Sequence, residues 1–357
     1  MKNVNETNRQ SVFTAHRISR MFQIEATKQT LLNAEARGDI PTARRVQRGR
    51  TSYRAWELAQ LPLIGEKMGF LKRPSDCRVA SVFSLKGGTS KSSLCFQIAR
   101  SFALHNVRTL VIGLDAQETI SQTIGRLSSG AEEEEIRGIY HVLAQGTPLE
   151  DVIKATDLAT LHYIPETIEL SVLDLWLKNQ KRREYVLRER IVTPLIGQGD
   201  YDLILFDCNP SWSEMVTGAL GASDVLLSPL GADINSLKAA RIFVELLADF
   251  QEEMRHVFRS MLIIPTMVET NKLSQTILAK YRLEYGELCT VSSIRRSVVV
   301  QEANVRGESL LEVGSTSPVF QDFVGVLKEV SDCLLDIEPA HQAMAPWPES
   351  AATTVSF

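Results

Sequence analysis

Lys86-Gly87-Gly88-Thr89-Ser90-Lys91-Ser92-Ser93 is the segment of this 357-residue chain whose residue types and spacing most directly promise chemistry. Adjacent glycines let successive backbone N–H groups turn toward one point, where they bind phosphate oxygens. Lys91 then brings an ammonium to the β and γ phosphates of a nucleotide. The Ser92 hydroxyl suits Mg2+, and Ser93 can hydrogen-bond the α-phosphate. We therefore assign Lys86, Gly87, Gly88, Thr89, Ser90, Lys91, Ser92 and Ser93 to binding ATP or ADP with Mg2+. Two carboxylates complete the set. Asp207 closes the apolar run Leu203–Phe206, as expected of a buried strand that delivers a carboxylate to a metal's hydration shell, and Asp115 closes Val111–Leu114. Phosphoryl transfer needs positioning and charge stabilisation more than reactive side chains.

These residues need a scaffold that brings strand ends and a helix start together. From about Arg78 onward, short β-branched runs alternate with longer amphipathic ones. That alternation predicts an α/β fold with a doubly wound, mostly parallel sheet. The predicted strands are Val79–Ser84, Thr109–Leu114, Leu203–Asp207, Val225–Pro229 and Leu262–Pro265. A predicted helix over Ser92–Leu104 carries Cys95, Ile98, Ala99, Phe102 and Ala103 on one stripe. A second over Leu237–Phe250 carries Leu237, Ala240, Val244, Leu247 and Ala248. The phosphate loop follows the first strand and opens the first helix, the context such a loop requires.

The loop, with a lysine ahead of the glycines, resembles the deviant Walker A sequence KGGxxK[ST][ST] of the ParA/MinD ATPases. Ser90 stands where a general phosphate loop has glycine. Gly113-Leu114-Asp115-Ala116-Gln117 resembles that family's switch I, usually D-x-D-P-Q, with Gly113 in place of the first aspartate and Ala116 in place of proline. Asp207-Cys208-Asn209-Pro210-Ser211 resembles its switch II, usually D-x-P-P-S, with Asn209 for the first proline. Ala222–Pro229 and Ser293–Ala303 are similar to two later family segments. The resemblance spans most of residues 78–337. It implies a deviant P-loop fold and a catalytic set of Lys86, Lys91, Asp115 and Asp207: Lys86 would reach the phosphates of a partner in an ATP-sandwich homodimer, Asp115 would orient the attacking water, and Asp207 would hold Mg2+ through water. Cys208 is expected to pack beneath the site.

Charge divides the chain. Residues 1–78 carry 15 Lys+Arg against 7 Asp+Glu, and the remaining residues carry 24 against 36. A basic front ahead of an acidic body suits a polyanionic partner. Residues 1–50 read as two short helices joined by a turn, with Ile18, Met21 and Phe22 sharing a face of the first and Leu31 and Ala34 a face of the second. Thr27 is a candidate N-cap and Gly38 a candidate stop. This segment resembles a MerR-like helix-turn-helix, which makes Thr27, Lys28, Gln29, Asn33 and Arg37 candidate DNA contacts. A helical hairpin used for dimerisation is the alternative. Trp56, Leu58, Leu61 and Ile64 look like packing residues. The expected organisation is a DNA-binding region and linker over 1–77, an ATPase domain over 78–337 and a flexible tail over 338–357.

Five scattered cysteines without a Cys-x-x-Cys pair indicate neither a disulfide framework nor a zinc site. The polar first residues and the lack of a long apolar run predict a cytoplasmic protein that does not enter membranes. The family resemblance implies a slow ATPase that segregates a plasmid or similar replicon. Its ATP dimer would bind nonspecific DNA, with Arg295 and Arg296 as candidate contacts, on the nucleoid. A ParB-like centromere-binding partner would stimulate hydrolysis, and the N-terminal module would bind an operator of its own operon. A nucleotide-regulated repressor and a MinD-like positioning ATPase are the alternatives. The last helix-like stretch, Val319–Ile337, is too acidic for a MinD-like lipid anchor. A nitrogenase-type iron protein would need cluster cysteines that Cys208 and Cys289 do not recreate.

Overall fold

The computed structural model describes residues 12–24, 28–48, 51–117, 119–127, 136–254, 258–313 and 316–335. Among the described residues the strands are β1 (Val12–Thr14), β2 (Arg44–Arg48), β3 (Thr51–Glu57), β4 (Arg78–Val82), β5 (Thr109–Leu114), β6 (Lys154–Ala155), β7 (Leu161–Ile164), β8 (Leu203–Cys208), β9 (Val225–Gly231) and β10 (Ser260–Thr266). Seven of them form one sheet in the order β10-β9-β4-β8-β5-β7-β6. Only β6 runs antiparallel to its neighbour. Every residue of β4, β5, β8 and β9 is buried, as expected of parallel strands covered by helices on both faces. All five predicted strands are present, whereas β6 and β7 were not anticipated.

Register brings the site together. Asp207 on β8 sits opposite Val82 on β4 and Gly113 on β5, so the ends of the phosphate-loop strand and both switch strands lie level. Ligands of open α/β sheets bind at this carboxyl edge, near the point where strand order reverses.

The helix α4 (Lys91–Ala103) opens at the loop. Its predicted stripe is buried, but so are Gln97, Arg100 and Ser101 on the opposite side. The sheet covers one face and C-terminal segments cover the other. Gln97 donates to Asn304 Oδ1 at 2.8 Å and accepts from Leu310 N–H at 2.7 Å, and the Ser101 and Ser309 hydroxyls lie 2.8 Å apart. Burial works against the Arg100 charge, but Glu312 and Asp157 hold its guanidinium firmly protonated. A stripe pattern alone does not reveal a helix enclosed on two sides, because the second face is satisfied by polar partners distant in sequence.

At the front, α1 (Ala15–Met21) and α2 (Lys28–Arg37) occupy the two predicted helical segments. Thr14 caps α1 by accepting from Arg17 N–H at 3.4 Å, and Thr27 lies outside the described residues. Ile18, Met21, Phe22, Leu31, Ala34 and Ile40 are all buried, which matches the predicted faces. The module is not purely helical. The β2–β3 hairpin and β1 make a three-stranded antiparallel sheet in the order β1-β3-β2, followed by α3 (Leu61–Met68). The indole N–H of buried Trp56 donates to the Pro41 carbonyl at 2.7 Å and seats the hairpin against the end of α2.

This front packs against the body. Phe13, Ile18, Phe22 and Trp56 belong to the same apolar cluster as Phe102 and Leu104. The Phe22 ring meets His105 edge-on at 5.0 Å, and Arg17 donates to the Glu312 carbonyl at 2.8 Å. Burial pushes the His105 imidazole down to about 4, so it packs as a neutral ring. The expected tail lies outside the described residues.

Candidate nucleotide site

The loop between β4 and α4 is held from below. The Ser84 and Thr89 hydroxyls lie 2.8 Å apart, and Thr266 at the end of β10 donates to the Thr89 carbonyl at 3.0 Å. Lys91 folds back across the loop and donates to the Lys86 carbonyl at 2.8 Å. Burial lowers its pKa, while Asp207 and Asp115 work to keep it charged. Two residues turn left-handed, Gly88 at φ 74° and Ser90 at φ 68°. Ser90 thus adopts a left-handed backbone conformation that glycine takes without steric cost.

Asp207 is completely buried, and neither of its carboxylate oxygens has a hydrogen-bond partner. Burial pushes its carboxyl up to about 8; Glu166 and Asp115 push the same way, and nearby Ser92 and Lys91 oppose them. A buried, unpartnered carboxylate beside a serine hydroxyl and a phosphate loop fits a divalent cation, which would supply the missing charge. Ser92 and Asp207 are therefore the residues that would hold Mg2+. Bound there, the ion supplies charge neutralisation at the β and γ phosphates. Cys208 is buried one residue on, and burial drives its thiol far above the usual range, as a packing role requires.

Asp115 lies half-buried just beyond β5 and accepts from Gln117 N–H at 3.1 Å. Asn209 accounts for its own departure from the family sequence. Its Nδ2 donates to the Leu114 carbonyl at 3.4 Å and its Oδ1 accepts from Ser211 N–H at 3.0 Å, tying the two switch strands together. At Gly113, an added Cβ would collide with Glu166, 2.5 Å from its Cγ and 2.7 Å from its Oε1. The carboxyl group of Glu166, which follows β7, therefore fills the space beside the glycine. Sequence reasoning missed Glu166, since it is a lone acidic residue after an unpredicted strand.

Lys86 points away from this cradle. Its ammonium donates to both oxygens of Asp233, at 2.7 and 2.9 Å, and to the Ser236 hydroxyl at 3.1 Å. Asp233 also accepts from the N–H groups of Asn235 and Ser236 at the start of the helix Ile234–Met254. Burial raises the pKa of its carboxyl, but the Lys86 and Ser236 hydrogen bonds outweigh that and hold it low. The Asp233-x-x-Ser236 spacing is a helix-start signal legible in the sequence, although its lysine partner is not.

A cavity of about 300 Å³ opens beside Ser90 and Ser93, with Leu94, Met267, Ile294 and Val298 in its walls. It is mostly apolar and adjoins the loop at Ser90 and Ser93. Arg295 and Arg296 also border it, but their charges are engaged. Arg295 forms a two-pronged pair with Asp322, at 2.6 and 2.8 Å, and Arg296 pairs with Glu269 at 2.8 Å. In the front module, Gln29 and Asn33 are joined by a 2.9 Å hydrogen bond on the exposed side of α2, and exposed Arg37 pairs with Asp39 at 2.7 Å. Lys28 begins α2.

A parallel sheet, a glycine-bearing loop opening a helix at its carboxyl edge and an orphaned carboxylate beside that loop together define a P-loop nucleotide hydrolase. A family profile described as "AAA domain" matches residues 77–260, and the chain belongs to this family; the curated proteins it resembles include ParA and Soj partition ATPases and a cell division protein. The chain is 26% identical over 248 residues to the cell division protein PomZ of Myxococcus xanthus, covering 69% of this chain and 76% of that one. It is 29% identical over 246 residues to the chromosome-partitioning ATPase Soj of Thermus thermophilus, covering 69% and 92%. The ATP complex of a McdA variant from Cyanothece superimposes with a TM-score of 0.63 at 20% identity, covering 75% of this chain and 100% of that one; this likeness concerns the fold. No described helix is long and apolar enough to cross a membrane.

Proposed function

We propose that this ATPase is a DNA-partition switch: ATP and Mg2+ join two copies through the phosphate loops, the dimer holds nonspecific DNA, and hydrolysis releases it. The division of labour between the two loop lysines carries this reading. Lys91 is 6% exposed and turned into its own cradle, whereas Lys86 is turned outward onto Asp233, its side chain 32% exposed. A lysine that serves no group of its own cradle can serve a partner's once it leaves Asp233. Asp115 orients the attacking water, Ser92 and Asp207 hold Mg2+, and a ParB-like centromere-binding protein accelerates turnover.

The front module reads an operator, with α2 presenting Gln29, Asn33 and Arg37 and the β2–β3 hairpin presenting exposed Arg45 alongside. A helix flanked by a basic hairpin suits simultaneous contact with base edges and phosphates. Arg295 and Arg296 contact nonspecific DNA only when phosphates displace Asp322 and Glu269. A positioning role, suggested by the likeness to a cell division protein, uses the same switch on a different cargo.

Capture of a random-sequence duplex in the presence of ATP, ADP or no nucleotide tests the switch. ATP-specific capture that is lost in Lys91→Ala is expected. Equal capture in all three conditions would remove the basis for a nucleotide-driven partition cycle. Segregation of a reporter plasmid separates the readings: partition requires its loss in Lys91→Ala, whereas repression alone leaves inheritance intact.

A further inference from the structure

The carboxyl group of Glu166 is only 2% exposed and is held by one short stretch of chain. It accepts from Ile120 N–H at 3.1 Å, from Ser121 N–H at 2.8 Å and from the Ser121 hydroxyl. That hydroxyl in turn accepts from Glu166 N–H at 3.0 Å. All three donors belong to the first turn of the helix α5 (Thr119–Ile124), which follows the Asp115-Ala116-Gln117 segment. The same carboxyl group packs against Gly113 two residues before Asp115, where an added Cβ would collide with it. Its charge also opposes that of Asp207, which places it in the same buried group of carboxylates.

We infer that Glu166 is a positioning residue for ATP hydrolysis: its carboxylate bridges the end of β5 to the start of α5 and so fixes the intervening segment that carries Asp115. The segment is clamped at both ends. Gly113 abuts the carboxyl group on one side, and the amides of Ile120 and Ser121 bind it on the other. Gly113 is part of the device, because any side chain there would occupy the space that the carboxyl group fills. Burying a carboxylate is costly, and an apolar residue could have filled the same space without that cost. A carboxylate is needed where backbone N–H groups must be held from a distance, since it accepts from several donors at once. The inference rests on the assignment of the attacking water to Asp115.

The test combines Glu166→Ala, Glu166→Gln, Asp115→Ala and the relocation variant Gly113→Asp/Glu166→Ala, all in the full chain. Asp115→Ala should abolish hydrolysis; if it hydrolyses normally, the assignment of Asp115 fails first. Misplacing a catalytic group by an ångström costs up to about 100-fold in rate, so Glu166→Ala should lower kcat by about 10- to 100-fold. Affinity for a non-hydrolysable ATP analogue should stay within about threefold, because the phosphate loop is untouched. In the nucleotide-free protein, amide exchange at Ile120 and Ser121 should accelerate. Glu166→Gln, which keeps the shape and one acceptor oxygen, should lose less rate than Glu166→Ala. The relocation variant returns a carboxylate to nearly the same space and should recover most of the lost rate. Unchanged turnover in Glu166→Ala overturns the inference, as does a relocation variant no better than the single one. Parallel loss of turnover, analogue affinity and melting temperature would reduce Glu166 to a packing residue and overturns it too.

Discussion

The Lys86 ammonium lies 2.7 Å from one carboxylate oxygen of Asp233 and 2.9 Å from the other. If Lys86 serves a partner's phosphates in the ATP dimer, this pair must open first. The side chains are 32% and 49% exposed, so the pair is worth about 0–1 kcal/mol. A symmetric dimer opens two such pairs, so Asp233→Asn should strengthen ATP-dependent self-association by up to about thirtyfold. Sedimentation at graded protein concentrations measures this, and weaker association in Asp233→Asn would show that the aspartate supports the dimer instead of restraining it.

The carboxyl group of Asp207 has a folded pKa near 8, above its ordinary value of 3.8, chiefly because it is buried. The folded chain therefore holds a proton that the unfolded chain releases. The stability this contributes is complete below about pH 4 and is lost as pH rises through 8. Nucleotide-free protein should melt at lower temperature at pH 9 than at pH 6, and Asp207→Asn should flatten that dependence. Since Mg2+ requires the ionised form, metal affinity should rise with pH up to about 8, by at most about tenfold per unit. Calorimetric titration of Mg2+ in the presence of ADP at several pH values checks both sign and slope.

Ser90 holds a left-handed conformation at φ 68° that costs a non-glycine residue about 1–2 kcal/mol. Ser90→Gly relieves that strain but loosens the unfolded chain, leaving a net gain of about 0.5–1 kcal/mol. Its melting temperature should rise by about one degree with nucleotide affinity unchanged. A drop in stability would mean that the serine side chain supports the loop.

In the front module, Arg45 should act on phosphates and Asn33 on base edges. Arg45→Ala should weaken binding evenly across sequences and reduce the salt slope by about one, whereas Asn33→Ala should alter sequence preference. Both should leave ATP turnover intact. Point substitutions are the right probe, because removing residues 1–50 would strip Phe13, Ile18 and Phe22 from the core they share with Leu104. Fluorescence anisotropy with operator and scrambled duplexes distinguishes the two effects.

What the sequence made legible follows from locality. Lys86–Ser93 is a contiguous motif, and Asp115 and Asp207 close apolar runs long enough to read as strands, so the site's near half was visible. The Arg44–Arg48 strand was not, because it has one apolar residue, Val46, and finds its place by pairing with β3. β7 is only four residues long, and without it Glu166 had no address. The Lys86–Asp233 pair joins residues 147 apart in sequence, a separation over which no pattern operates.

In the proposed switch, ATP joins two copies through Lys86. Sedimentation velocity of the wild type and Lys86→Ala with ATP and Mg2+, with ADP and without nucleotide tests it most directly. A monomer is expected without nucleotide and with ADP, a dimer with ATP, and a Lys86→Ala protein that binds ATP yet stays monomeric. A dimer of the same mass in every condition, or an ATP dimer that survives Lys86→Ala, would contradict it.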